Sequence, residues 1–323
     1  MNKTDNEPTP EAQHLLGVFL RGMAMGAADI VPGVSGGTIA FITGIYFRLL
    51  AAIDSIPFAF VRQLCRGQVK NFWQSTDANF LLSLLAGILT SVITLASIIS
   101  YGLEQYPILL WSFFFGLIVA SVWHVGREIK VQRFVLLVPL LTGVIFAWWV
   151  TTLSSGQVEP SPLVIIGSGA LAICAMILPG ISGSFILVIL GMYAPILAAI
   201  KGAEVGTLLL FAVGCVAGLL SIARILTWAI HRFHDAMLAL LTGFMIGALN
   251  KVWPWREALS WRTNSAGEQV PIEEISVSPM QYADATGAAP ELLGALFAAL
   301  AGFFLVLLIE WMATAFKAQP LRQ

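Results

Sequence analysis

Two short stretches of proline, glycine and hydroxyl residues carry the chemistry this chain could do. Pro32, Gly33, Val34, Ser35, Gly36, Gly37 and Thr38 are followed by Gly44 and Tyr46. Pro179, Gly180, Ile181, Ser182, Gly183 and Ser184 are followed by Gly191 and Tyr193. Each matched pair is 147 residues apart, and both stretches lie in apolar sequence. Pro32 and Pro179 read as helix breaks, since proline removes a donor and clashes with the preceding turn. After each break a new helix starts, and its first N–H groups face outward with a partial positive charge. Glycine lets a ligand approach that backbone closely, and serine and threonine add hydroxyl donors. Such a composition suits an anion, and Gly33, Ser35, Gly36, Gly37, Thr38, Gly180, Ser182, Gly183 and Ser184 are its candidate ligands. The alternative, a mere capping turn between packed helices, does not account for the duplication. Paired breaks in corresponding membrane segments point instead to a transporter's binding site.

Two charges fall inside apolar segments. Arg224 reads as a phosphate ligand, because guanidinium matches phosphate oxygens in bidentate geometry; the plainer reading is snorkelling toward the nearby interface. Asp29 precedes the first break by three residues. It reads as a proton or cation carrier, or as an ion-pair partner for an arginine, with Arg21 the candidate; the plainer reading is a hydrogen bond at the helix tip. Arg21, Arg48 and Glu310 otherwise lie near span ends, where interfacial anchoring is expected. Gly33 to Gly37 also fits the G-x-S-x-G pattern of serine hydrolases, but that elbow needs a strand-to-helix turn. An intramembrane protease would need a deep histidine, and His14, His124, His231 and His234 all sit near span ends. No enzyme is expected.

The elements that must hold these residues follow from composition. The chain has 323 residues, 58% hydrophobic and 11% charged, with mean hydropathy +0.86. A soluble domain carries about 25% charged residues, so an all-α polytopic membrane protein is expected. The net charge of −1 gives no electrostatic case for nucleic acid. Residues 1–13 form a polar tail without the basic segment of a cleavable signal peptide. Cys65, Cys174 and Cys215 show no metal-ligand spacing and read as core thiols. Long apolar runs predict spans near 80–100, 108–125, 134–153, 206–230, 236–253 and 291–312, each long enough for a bilayer. The broken segments 15–53 and 162–200 have arms of about 16 residues, which suits re-entrant hairpins.

The repeat continues past the breaks. Gly87 and Gly116 match Gly214 and Gly243 at an offset of 127, and Gly143 matches Gly302 at 159. Residues 14–155 thus form one repeat and 156–313 a second, each a hairpin plus three spans. The second repeat carries an insertion at 254–290, and 314–323 is a C-terminal tail. Three spans per repeat invert the second relative to the first. The positive-inside rule agrees. Arg62, Arg66, Lys70, Arg127, Lys130, Arg133, Arg232, Lys317 and Arg322 fall on one side. Glu104, Glu159, Lys201 and the acidic insertion fall on the other. Both termini are expected in the cytoplasm.

At the residues running from Met25 through Asp29 and Pro32 to Thr38, with Gly44, Ile45 and Tyr46, and from Leu178 to Ser184, with Gly191, Met192 and Tyr193, the sequence resembles the bacterial undecaprenyl phosphate translocases of the PopT type. The resemblance covers essentially the whole chain except the insertion. It implies an inner-membrane flippase that returns undecaprenyl phosphate, or a related polyprenyl phosphate, to the cytoplasmic leaflet for cell-envelope synthesis. The competing expectation from the residues is a carrier of a small soluble anion, coupled to H⁺ or Na⁺ through Asp29. No cofactor or metal is expected in either case, and the sequence leaves the oligomeric state open.

Overall fold

The computed structural model describes residues 10–30, 35–129, 134–153, 158–263 and 269–317. The helices run α1 (Pro10–Ile30), α2 (Gly36–Ile42), α3 (Tyr46–Arg62), α4 (Val69–Ser75), α5 (Ala78–Gln105), α6 (Pro107–Glu128), α7 (Leu137–Thr151), α8 (Pro162–Ile177), α9 (Gly183–Ile189), α10 (Tyr193–Lys201), α11 (Val205–Arg232) and α12 (His234–Ala248). The chain closes with β1 (Arg256–Thr263), β2 (Gln269–Ser276), α13 (Pro279–Thr286) and α14 (Leu292–Lys317). Among the described residues, four helices are long and apolar enough to cross a membrane, or up to six if each sharply bent pair counts as one span. Leu82, Leu89, Ile93, Phe297 and Phe304 on α5 and α14 point outward. A continuous apolar exterior of this kind needs lipid rather than water around it.

Each hairpin differs from the simple two-armed expectation. The second arm is itself bent, by 116° between α2 and α3 and by 109° between α9 and α10. The cause is a glycine cap at each bend. Gly44 (φ +72°) and Gly191 (φ +69°) take the left-handed conformation. Gly44 N–H donates to Phe41 and Ile45 N–H to Ala40, while Gly191 N–H donates to Val188 and Met192 N–H to Leu187. These paired bonds are a Schellman ending, which satisfies the last carbonyls and stops the helix after seven residues. The repeat-marking glycines 44 and 191 therefore end helices.

The remaining marker glycines bring helices together. A Cβ on Gly22 or Gly87 would meet the carbonyls of Leu84 and Phe19. At their repeat positions, Gly169 and Gly214 would meet Phe211 and Ile166. So α1 packs on α5 as α8 packs on α11. The third and fourth pairs cross between halves. Gly116 of α6 faces Ala299 of α14, and Gly243 of α12 faces Leu140 of α7. Gly143 faces Leu240, and Gly302 faces Phe113. Every one of these approaches recurs at the offsets of 147, 127 or 159. Small residues allow the close backbone packing that replaces hydrophobic association in lipid. The thiols of Cys174 and Cys215 lie on the α8–α11 seam, half-exposed, each donating across it at 3.5 Å, to Gly218 and Gly169 respectively. Cys65 is exposed, against the expectation of a core thiol, because it lies in the polar turn after α3.

Overpacking should expose this dependence. In Gly143→Leu the new Cβ would stand 2.3 Å from the Leu240 carbonyl. The expected loss is about 3 kcal/mol, the upper range for added core volume. A thermal melt of the purified protein in detergent would read it, with Gly126→Ala, where nothing lies within 4 Å, as the silent control.

The insertion at 254–290 brings strand structure to an otherwise helical chain. β1 and β2 pair antiparallel, with Arg256 opposite Ser276 and Arg262 opposite Val270. The hairpin's connection, 264–268, lies outside the described residues. Helix α13 starts with a capping box of Ser278 and Gln281. Trp255 is buried against Ile108 and Ala295. Its indole N–H donates to Pro290, and that of Trp253 donates to Val277. The insertion is thereby held on the start of α6 and α14.

Candidate functional site

The two breaks meet. The Ser35 hydroxyl donates to the carbonyl of Met176 at 2.9 Å and lies 3.3 Å from that of Leu178. Gly180 N–H donates to Thr38 Oγ1 at 2.9 Å. The end of α8 leaves carbonyls with no partner inside the helix, and in a low-dielectric interior each costs several kcal/mol if left bare. The first break supplies one donor to them and one acceptor to the amide beyond. Gly37 makes this possible: a Cβ there would stand 2.5 Å from the Ile177 carbonyl. Gly180 (φ +87°) sits against Phe244 of α12, and Gly183 against Ala172 of α8.

The donors at the start of α2 are already engaged. Gly36 N–H donates to Asp29 Oδ1 at 2.7 Å, and Gly37 N–H donates to Ser35 Oγ at 3.1 Å. A carboxylate of this chain thus sits where the residue pattern predicts an external anion. Ser35 and Thr38 are buried. Pro32 and Gly33 lie outside the described residues. The second break is less committed. Ser182, the N-cap of α9, makes no side-chain cap bond, and its hydroxyl lies 2.8 Å from that of Ser184. Gly180, Ile181, Ser182 and Phe185 line a recess closed by Thr151 of α7 and by Lys251. It has a volume of about 10 Å³, room for roughly one water.

The other candidate charges stand apart. Arg224 is exposed on α11, with its guanidinium 5.0 Å over the Phe58 ring of α3. Close by is a cleft of about 370 Å³, lined by Asp54, Ser55, Phe58, Arg62 and Thr227. Arg21 and Asp29 share α1 but lie eight residues apart, about 12 Å at helical rise. Among the described residues neither forms an ion pair. Arg48 pairs with Asp77 at 2.6 Å and stacks on Phe80. No group of three or more metal-ligating side chains occurs among the described residues.

Lys251 is the residue that sequence reasoning missed. It sits in the turn after α12, with Nζ 4.6 Å from the centroid of Phe185. Burial pushes its ammonium down to about 8, with Arg256 adding to the shift and Glu274 opposing it. A signal was present: a single cation near the end of the apolar run 236–253, beside Trp253 and Trp255.

Residues 25–270 match the family described as undecaprenyl phosphate translocase-like. A Vibrio cholerae protein named polyprenyl-phosphate transporter is 48% identical over 300 residues, covering 93% of this chain and 97% of its own. A Staphylococcus aureus protein of the same name is 30% identical over 257 residues, covering 73% and 85%. No solved structure is significantly similar.

Proposed function

The chain belongs to the undecaprenyl phosphate translocase-like family, and from that premise we propose that it carries polyprenyl phosphate, undecaprenyl phosphate above all, from the outer to the cytoplasmic leaflet. It is a transporter and not an enzyme, as its relatives are named. It acts as a multi-pass protein of the bacterial inner membrane, with both termini in the cytoplasm. The two halves work as an inverted repeat. The recurrence of the glycine contacts in both halves supports that reading, as does the exchange by which α6 packs on α14 and α7 on α12.

The observation that carries the proposal is the direct bonding of the two breaks, Ser35 to Met176 and Thr38 to Gly180. Irregular backbone at membrane depth survives only where protein or a wet cavity satisfies it. Here each break satisfies the other, so the two halves share one polar centre and a shift of one is felt by both. The substrate phosphate is received by Ser182, Ser184 and Gly183, whose break borders a recess, while Gly180, its N–H given to Thr38, holds the turn beside them. Ser35, Gly36, Gly37 and Thr38 hold that break in place. Arg224 meets the headgroup at the separate cleft beside Phe58. The prenyl tail stays in lipid throughout. No cofactor is required, and Asp29 is the group through which H⁺ or Na⁺ would couple.

Vesicles loaded with undecaprenyl phosphate test the reading by headgroup accessibility. The wild type should move phosphate between leaflets. Ser182→Ala should slow it about tenfold, the loss of one charge-assisted hydrogen bond. Arg224→Ala should slow it less, since Arg224 stands apart from the breaks. Wild-type rates in both variants would remove both sites from the path.

A further inference from the structure

Three charged groups gather where the insertion meets the second break. Lys251 closes the recess and stacks on Phe185, in the first turn of α9 beside Ser184. Among the described residues its ammonium has no hydrogen bond and no ion pair. Behind it, Arg256 of β1 donates through Nη1 to Glu274 Oε2 of β2 at 3.1 Å and lies 4.4 Å over the Trp111 ring. Its Nη2 is buried without a partner. Two cations thus face one carboxylate, and that carboxylate is committed to Arg256. One positive charge is left unmatched beside the break. A half-buried cation is costly unless an anion meets it, and a ring face is a weaker partner than phosphate.

We propose that Lys251 receives the phosphate monoester of the transported lipid at the second break, with Arg256 as the positioning residue that keeps Lys251 unpaired by holding Glu274. This rests on the transport reading. A phosphate monoester carries a charge of about −1.5 to −2 at neutral pH, so it supplies the missing countercharge and accepts from both lysine and serine. The recess is too tight for phosphate as it stands. Lys251 must exchange the Phe185 face for the headgroup as α7 and the break part. The insertion thereby acquires a task, since it brings Arg256 and Glu274 to the site.

Binding of a short-chain prenyl monophosphate to the whole protein in detergent, followed by tryptophan fluorescence, tests the inference apart from transport. Lys251→Gln should weaken binding about tenfold, and Lys251→Arg should stay within about threefold. Wild-type affinity should fall as pH rises through about 8, where Lys251, facing Arg256 and Glu274, loses its charge; Lys251→Arg should show no such fall. Equal affinity of wild type and Lys251→Gln, or no binding by the wild type, would overturn the inference. Should Lys251→Gln fail to fold, the two pH profiles decide, and a fall shared by wild type and Lys251→Arg overturns it. Inorganic phosphate binding as tightly as the prenyl ester would reassign the site to a free anion. Vesicles in which the wild type binds the ester but never moves it would sink the transport reading and leave this inference standing.

Discussion

Gly37→Val is expected to abolish transport and to lower the melting temperature. The argument starts from geometry. A Cβ at position 37 would lie 2.5 Å from the Ile177 oxygen, 2.9 Å from the Met176 oxygen and 3.1 Å from the Ile177 carbon. All three are backbone atoms at the end of α8, which packs tightly on α11 and cannot yield by a rotamer change. The first turn of α2 must therefore withdraw. That turn carries both the Ser35 hydroxyl bonded to α8 and the Thr38 oxygen that accepts from Gly180. One substitution breaks the whole junction and leaves α8 carbonyls bare in an apolar interior. Overpacking and lost hydrogen bonds together suggest a loss of about 3 kcal/mol or more. Gly44→Ala is the contrast, because its Cβ meets nothing within 4 Å and only the left-handed backbone is strained, at about 1–2 kcal/mol. Transport in vesicles and a thermal melt should separate the two variants. A Gly37→Val protein that still transports at the wild-type rate would mean that the breaks separate during the cycle without consequence.

The helix breaks and the apolar spans were legible because their signals are local. Proline and glycine end helices wherever they stand, and a charge-free run of 20 residues reports lipid without any partner. What was not legible depended on the third dimension. Gly44 and Gly191 were visible as markers, yet only the bonds of Ile45 to Ala40 and Met192 to Leu187 reveal that they turn the second arm by more than 100°. The partner of Asp29 was sought first among arginines, with a hydrogen bond at the helix tip as the plainer reading. It is a backbone N–H seven residues on, because a helix start satisfies a carboxylate as well as a cation does. The strands of the insertion went unread, because its charges were weighed only for which side of the membrane it lies on. The crossing of α6 to α14 and α7 to α12 cannot be read from spacing, since each pair lies more than 80 residues apart. Lys251 was passed over for the same reason: its neighbour in space is Phe185, far from it in the chain.

Asp29→Asn is expected to uncouple transport from an imposed proton gradient while leaving exchange between leaflets. The carboxylate accepts from Gly36 N–H at 2.7 Å, and a Cβ on Gly36 would come within 2.6 Å of Asp29 Oδ2, so the group is held against α2 from two directions. Ionised, it complements the positive end of α2; protonated, it keeps a weaker bond and loses that charge attraction. Proton arrival would therefore loosen the first break from α1. Because Ser35 and Thr38 of that break also hold the second, the loosening reaches the residues proposed to bind phosphate. Asparagine keeps a carbonyl oxygen for Gly36 but fixes the neutral state, so the switch is set permanently to one side. In vesicles, the wild-type rate should change when the pH on one side is shifted, and the Asp29→Asn rate should not. Asp29→Ala, which removes the acceptor altogether, should in addition destabilise the protein by about 1 kcal/mol, the ordinary worth of a helix cap. If Asp29→Asn responds to the gradient as the wild type does, the proton acts elsewhere and Asp29 serves α2 only as a cap. If neither protein responds, the carrier follows its substrate's own gradient, and the mutual bonding of the two breaks must open without help from any ion.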